Sequence, residues 1–145
     1  MPDCTFCQII AKKLPTSVIY EDDAILAFMD NRPVRPGTCL IIPKQHIDHM
    51  IDVDDDTLSQ MMLAAKRIGK KMMMAFKPLR VGMVVHGFGV AHAHLIVIPQ
   101  HRSDDITSAR FAVIEEGELA FSMKTIDVID PIVLDLQAAQ LRING

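Results

Sequence analysis

The chain contains no tryptophan and only one tyrosine among its 145 residues. It has three cysteines, at positions 4, 7 and 39, an odd number that does not suggest the disulfide framework of a small secreted protein. No apolar run approaches the roughly 18–20 residues that cross a bilayer. The N-terminus lacks a basic segment followed by an apolar one, so no signal peptide is visible. From these absences we expect a cytoplasmic protein with no membrane partner.

The chain also lacks a large excess of charge of either sign. The chain has 15 basic and 18 acidic residues, and the net charge of −3 offers no general attraction to nucleic acid. Half of the residues are hydrophobic, and there is no internal repeat or low-complexity linker. We therefore expect one domain over residues 1–145 with its own hydrophobic core, and no nucleic-acid partner.

The spacing of apolar residues predicts an α+β fold, in which helices pack on a mostly antiparallel, five-stranded sheet. Strands are predicted at residues 18–20, 24–28, 39–42, 80–85 and 90–98, and the last two are joined by a tight turn over 86–89. Helices are predicted at residues 4–13, at 57–76, and from 130 to about 144; residues 111–123 are predicted to be extended. Five of the ten methionines lie in the helix 57–76, and its wide apolar face fits packing on the sheet alone or also on a second subunit.

His92 and His94 stand out because side chains two residues apart on a strand point to the same face. Imidazole titrates near neutral pH, binds metals and can act as a nucleophile or a base. Two such rings after a glycine-rich turn form a candidate site. Two half-buried structural histidines would give the same pattern, so the pattern alone leaves both interpretations open.

Cys4 and Cys7 have the spacing at which two thiols bind one metal ion. A structural zinc site needs about four ligands, and His46, His49 and His92 are candidates for the other two. Two ordinary cysteines on a short helix are an alternative. A redox pair is a weaker one, because no βαβ pattern surrounds the motif. Asp30, which follows an apolar strand, is either a ribose-binding carboxylate or a turn-forming residue.

Several segments, in this order, resemble the zinc-containing bacterial members of the histidine triad (HIT) family of nucleotide-binding hydrolases and transferases. The segments are Cys4-Thr5-Phe6-Cys7-Gln8-Ile9-Ile10, Tyr20-Glu21-Asp22-Asp23, Ala27-Phe28-Met29-Asp30, Leu40-Ile41-Ile42-Pro43-Lys44-Gln45-His46 and Gly87-Phe88-Gly89-Val90-Ala91-His92-Ala93-His94. The resemblance covers roughly residues 4–99, so residues from about 105 to 145 are expected to form a C-terminal extension. The family's third histidine is replaced by Ile96, its usual histidine after Gly37 by Thr38, and a common glutamine by Phe88.

The resemblance implies a role for each matching residue. His94 corresponds to the family nucleophile, and Asp30 to the residue that binds the ribose. The implied ligands of a structural zinc ion are Cys4, Cys7, His46 and His92. The implied base pocket consists of Phe6, Ile9, Phe28 and Leu40. The implied ligand is a purine nucleotide or a derivative of a nucleoside monophosphate, and the implied assembly is a homodimer.

Three functions fit these observations. The first is a hydrolase or transferase acting at the α-phosphate of nucleotide esters, anhydrides or phosphoramidates, which His94 and Asp30 favour. The second is a zinc-stabilised nucleotide-binding or interaction protein with little turnover, which Ile96 and Thr38 favour because neither supplies an imidazole. The third is a metal hydrolase that uses His92 and His94 as ligands, but few acidic residues lie near suitable strand ends.

Overall fold

A five-stranded antiparallel sheet forms the centre of the protein, in the strand order β1-β2-β3-β5-β4. A computed structural model describes residues 3–105, 112–122 and 126–144. Its strands are β1 (Val18–Glu21), β2 (Ile25–Met29), β3 (Cys39–Pro43), β4 (Arg80–Val84), β5 (Leu95–Gln100), β6 (Ala112–Glu115) and β7 (Glu118–Phe121). Its α-helices are α1 (Thr5–Ile10), α2 (Asp55–Phe76) and α3 (Pro131–Leu141). The predicted α+β fold is therefore confirmed.

The strands β2 and β3 are buried along their whole length because both faces of the sheet are covered. Alternate side chains point to opposite faces. One set, represented by Ala27 and Ile41, lies in the main core with α2 and α3. The other set belongs to what we call the site-face cluster, whose buried members are Cys4, Phe6, Leu26, Phe28, Leu40 and Ile42. The fold thus places α1 on the face of the sheet opposite α2.

The prediction that His92 and His94 lie within a strand is wrong, because β5 begins at Leu95. The backbone before it makes bonds outside the sheet ladder. The N–H of His92 donates to the carbonyl of Val90 at 2.8 Å, and that of Ala93 donates to the carbonyl of Ile47 at 2.7 Å. The predicted tight turn over residues 86–89 is likewise part of a longer connection between β4 and β5.

Two predicted helices are longer than those observed, and one begins earlier than predicted. Helix α1 ends at Ile10 and is followed by Lys12, which has a left-handed φ of 59°. Helix α3 ends at Leu141, because Arg142 returns to extended backbone with a ψ of 135°. Helix α2 starts at Asp55 since the Asp54 side chain accepts a hydrogen bond from the N–H of Thr57 at 2.9 Å, which caps the first turn.

The C-terminal region adds a two-stranded hairpin and a helix to the sheet. Strands β6 and β7 pair with each other through a turn at Glu116 and Gly117, both with positive φ. The extended segment predicted there is thus a hairpin, and Phe111 and Met123, the ends of the prediction, lie outside the described residues. Among the described residues, the structure has no helix with the length and apolar character needed to cross a membrane.

Candidate active site and metal centre

The start of α1 brings two thiols close to His46 and His92, which flank the central strands β3 and β5. Cys4 is the N-cap residue, and its Sγ accepts a hydrogen bond from the N–H of Cys7 at 3.4 Å. The first turn of the helix therefore holds the side chains of Cys4 and Cys7 next to each other. Phe6, which lies between them in the sequence, is buried. The helix itself has only six residues, so contacts with the rest of the fold must hold it.

Two histidines complete a cluster of four possible metal ligands. The ligand atoms of Cys4, Cys7, His46 and His92 all lie within 4.8 Å of one another. His92 Nδ1 lies 3.5 Å from Cys4 Sγ and 3.6 Å from Cys7 Sγ, and His46 Nδ1 lies 3.3 Å from Cys7 Sγ. A tetrahedral zinc ion separates its sulfur and nitrogen ligands by about 3.6 Å. The four residues thus fit the Cys2His2 composition and the geometry of a structural zinc site.

The protonation of His92 suits a metal ligand. Its Nε2 donates a hydrogen bond to the carbonyl of Pro43 at 2.8 Å, which leaves the lone pair on Nδ1 for the metal ion. Burial, together with the neighbouring His46 and His94, lowers the pKa of His92 although the Pro43 carbonyl opposes the shift, so the ring is neutral near pH 7. Burial and the adjacent Cys4 raise the pKa of the Cys7 thiol, and a bound cation would hold such a pair as thiolates.

The backbone of His92, whose ring faces the metal site, orients His94. Nδ1 of His94 and the carbonyl of His92 form a hydrogen bond of 2.7 Å. Since a carbonyl oxygen can only accept, Nδ1 carries the proton and donates it to the bond. A neutral ring with its proton on Nδ1 carries a lone pair on Nε2. The Phe6 ring packs edge-on against His94 and His92, with centroid distances of 5.4 and 5.8 Å. His94 is therefore a half-buried imidazole in one tautomer and one orientation.

The residues predicted to line a base pocket come together in the site-face cluster. Phe6, Phe28 and Leu40 are buried members of the cluster, and Ile9 is partly buried against it. The rings of Phe6 and Phe28 meet edge-to-face at a centroid distance of 5.7 Å. An open groove beside the cluster is lined by Ile9 but not by the other three predicted residues. Its other lining residues are Ile10, Lys12, Leu14, Pro15, Thr16, Val18, Glu21 and Leu26.

Asp30 directly follows β2 and lies close enough to His94 to interact with it electrostatically. Burial raises the pKa of Asp30, while the N–H of Arg32, which donates to Oδ1 at 2.9 Å, and the neighbouring His94 act in the opposite direction. The carboxylate is half-buried and keeps an oxygen that can accept a further hydrogen bond.

The three departures from the family pattern have clear structural settings. Ile96 lies on β5 opposite Leu40 and packs against the site-face cluster, where it can neither donate nor accept a proton. Thr38 is buried, and its hydroxyl donates to the carbonyl of Arg35 at 2.6 Å. Phe88 is 81% exposed on the connection between β4 and β5.

Some contacts that shape the site carried no signal in the sequence. The carbonyls of Pro43 and Ile47, which bind His92 and Ala93, are backbone groups that any residue could supply. The ion pair between Arg35 and Asp105 joins residues 70 positions apart, and no motif links them. His49, the third histidine candidate for the metal site, is not part of the cluster.

Known proteins resemble this chain in both sequence and structure. A HIT domain is recognised over residues 11–103. A HIT-like protein of Borreliella burgdorferi is 34% identical over 111 residues, which cover 72% of this chain and 80% of that protein. A HIT-like protein from Bartonella henselae superposes with a TM-score of 0.76 at 26% identity, covering 98% of this chain and 96% of that one. A zinc-bound histidine triad protein from Mycobacterium smegmatis has a TM-score of 0.69 at 25% identity, covering 97% and 96%.

Proposed function

Because this chain belongs to the HIT domain family, we propose that it is a nucleotide hydrolase or transferase that uses His94 as its nucleophile. The substrate class is a purine nucleotide ester, anhydride or phosphoramidate, attacked at the α-phosphorus. The observation that carries the proposal is the hydrogen bond from His94 Nδ1 to the carbonyl of His92, since it directs the lone pair to Nε2.

The reaction takes place in two displacements at phosphorus. Neutral Nε2 of His94 attacks the α-phosphorus, the bond from phosphorus to the leaving group breaks, and a nucleotidyl-imidazolium forms. The leaving group takes its proton from solvent water. The positive charge that develops on the ring is stabilised by the His92 carbonyl at Nδ1. Water then attacks the same phosphorus, releases the nucleoside monophosphate and returns the ring to its neutral form. Asp30 binds the ribose hydroxyls, and the site-face cluster with Ile9 contacts the base.

The isoleucine at position 96 limits the rate of this reaction. It leaves the departing group without the imidazole that assists it in the family, and loss of such an acid–base partner costs about 100- to 10,000-fold. An amine leaving group must then take its proton from solvent water, so release from a phosphoramidate is expected to be slow but to depend on His94.

The metal site has a structural part in this proposal. Cys4, Cys7, His46 and His92 would hold a zinc ion, which supplies a crosslink between α1, the end of β3 and the segment before β5. That crosslink fixes Phe6 against His94 and holds the His92 backbone to which His94 is bonded.

A nucleotide-binding protein with little turnover is the second candidate. The observation that favours it is the apolar or hydrogen-bonded setting of Ile96 and Thr38, which replace two imidazoles of the family pattern. It predicts that adenosine monophosphate binds without measurable release of product from any substrate.

The two candidates differ in one experiment. The purified protein is incubated with an adenosine phosphoramidate, and released adenosine monophosphate is measured for the wild type and for His94→Ala. The hydrolase proposal predicts release by the wild type and a loss of at least about 1,000-fold in the variant.

The matched control is His49→Ala, which removes an exposed histidine outside the metal cluster and should keep the wild-type rate. Equal, very low release by the wild type and His94→Ala would refute the hydrolase proposal. Binding of adenosine monophosphate in that case would leave the second candidate.

A further inference from the structure

A buried carboxylate beyond the recognised HIT domain is tied to the loop that carries Asp30. Asp105 is 0% exposed, and its Oδ1 accepts a hydrogen bond from Arg35 Nη2 at 2.6 Å. Its Oδ2 accepts from the N–H groups of His101 and Arg102, each at 2.8 Å. Burial alone would raise the pKa of Asp105, but these bonds and the Arg35 charge outweigh it and lower the pKa. The carboxylate is therefore ionised at neutral pH, and both of its oxygens accept hydrogen bonds.

A continuous series of hydrogen bonds leads from Asp105 to Asp30. The carbonyl of Arg35, whose side chain binds Asp105, accepts from both the N–H and the hydroxyl of Thr38, at 3.1 and 2.6 Å. The carbonyl of Thr38 accepts from the N–H of Asp30 at 3.0 Å. The loop 30–38 is thus closed on itself by its backbone and anchored from outside through one side chain.

A second contact from the C-terminal region reaches the same loop. The N–H of Ile129 donates to the carbonyl of Asn31 at 2.9 Å. Both Asp105 and Ile129 lie after residue 103, where the recognised HIT domain ends. The loop is therefore held at two points, Asn31 and Arg35, by residues that follow the recognised HIT domain.

We propose that the ion pair between Asp105 and Arg35 is a clamp by which the C-terminal region positions the ribose-binding loop 30–38 for nucleotide. Asp105 and Arg35 are positioning residues, because they act through the loop on Asp30. This inference rests on the proposed function for its substrate. It assigns the C-terminal region a role in nucleotide affinity, separate from the chemistry at His94.

The test compares Asp105→Asn with Asp104→Asn. Both variants remove one negative charge from the same turn, but Asp104 pairs with Arg102 inside that turn while Asp105 pairs with Arg35 in the loop. We expect Asp105→Asn to raise KM for an adenosine phosphoramidate about tenfold and to change kcat by less than about twofold, because only ribose placement is loosened. Asp104→Asn should change neither constant.

Amide hydrogen exchange reports on the clamp without relying on catalysis. The N–H groups of Asp30 and Thr38 should exchange faster in Asp105→Asn than in the wild type and in Asp104→Asn. Arg35→Gln should have the same KM effect, and the double variant should be no worse than either single one, since all three remove the same contact. The Arg35 variant also answers the question if Asp105→Asn does not fold.

An unchanged KM in both Asp105→Asn and Arg35→Gln would overturn the clamp, as would a fall in kcat alone. If the wild type shows no turnover, the proposed function fails on its own. The clamp is then decided by the affinity for adenosine monophosphate measured by calorimetry. A weaker affinity in Asp105→Asn but not in Asp104→Asn supports it, and equal affinities in all three proteins overturn it.

Discussion

At the scale of single residues, His92 joins the two halves of the site. Its ring faces Cys4 and Cys7, and its backbone carbonyl accepts the hydrogen bond that sets the tautomer of His94. Pro43 completes the arrangement, because its carbonyl binds the remaining ring nitrogen of His92. One residue therefore contacts the two cysteines with its side chain and orients His94 with its backbone.

The choice between His46 and His49 gives a prediction about the metal. His46→Ala removes a ligand and should reduce the zinc content from about one ion per chain to a small fraction, since three ligands remain. His49→Ala, a matched change three positions along the chain, should keep the full content. Elemental analysis of the purified variants measures both. Full zinc occupancy in His46→Ala would refute the assignment of this ligand.

The sequence was informative about these residues only where a motif carries the chemistry. The Cys-x-x-Cys pair and the matching histidines predicted the ligand set, and the structure brings those ligands together. Spacing alone left His46 and His49 open as ligands, because both lie in one irregular segment, and the family resemblance selected His46. Arg35 and Asp105 could not be predicted at all, since their contact depends on how distant parts of the chain fold together.

At the scale of elements, α2 has apolar side chains both on its buried face and on its exposed face. Met61, Ile68 and Met72 are buried against the sheet. Met62, Met73 and Met74 are exposed apolar residues of the same helix. The wide apolar face predicted for this helix is present, but within one chain only part of it is covered.

Neighbouring methionines on α2 allow a controlled test of the core. Met72 is 0% exposed, so Met72→Ala should lower the free energy of unfolding by about 2–5 kcal/mol through lost burial and a cavity. Met74 is 66% exposed within one chain, and Met74→Ala should change the free energy of unfolding of the monomer by less than about 0.5 kcal/mol. Urea denaturation measures both values. Equal losses would contradict the orientation of the helix described above.

The order and type of the elements were predictable from sequence, whereas several of their limits were not. Period-two and period-3.6 patterns predicted the five strands of the sheet and the three helices. The segment before β5 has the apolar content of a strand, but its N–H groups bond to Val90 and Ile47 instead of to β3. Such a competition between tertiary contacts and local pattern is invisible in a single sequence.

At the scale of the whole molecule, the C-terminal region is bound to the rest of the chain at several points. Besides the contacts of Asp105 and Ile129, Ser17 Oγ donates to Asp135 Oδ1 of α3 at 2.6 Å. These contacts fit the expectation of a single domain over residues 1–145, which stays a prediction. The homodimer implied by the family resemblance also stays a prediction, and the exposed apolar side chains of α2 are where we expect a second copy.

The central claim is that His94 forms a covalent bond to the α-phosphorus of a nucleotide. The most direct measurement is rapid denaturation of the protein during turnover of an adenosine phosphoramidate, followed by mass spectrometry of its peptides. Our account predicts an adenylyl group on the peptide that contains His94, absent from His94→Ala and lost on longer incubation as water completes the reaction. Product release by the wild type with no such adduct at any time, or an adduct on another residue, would contradict it.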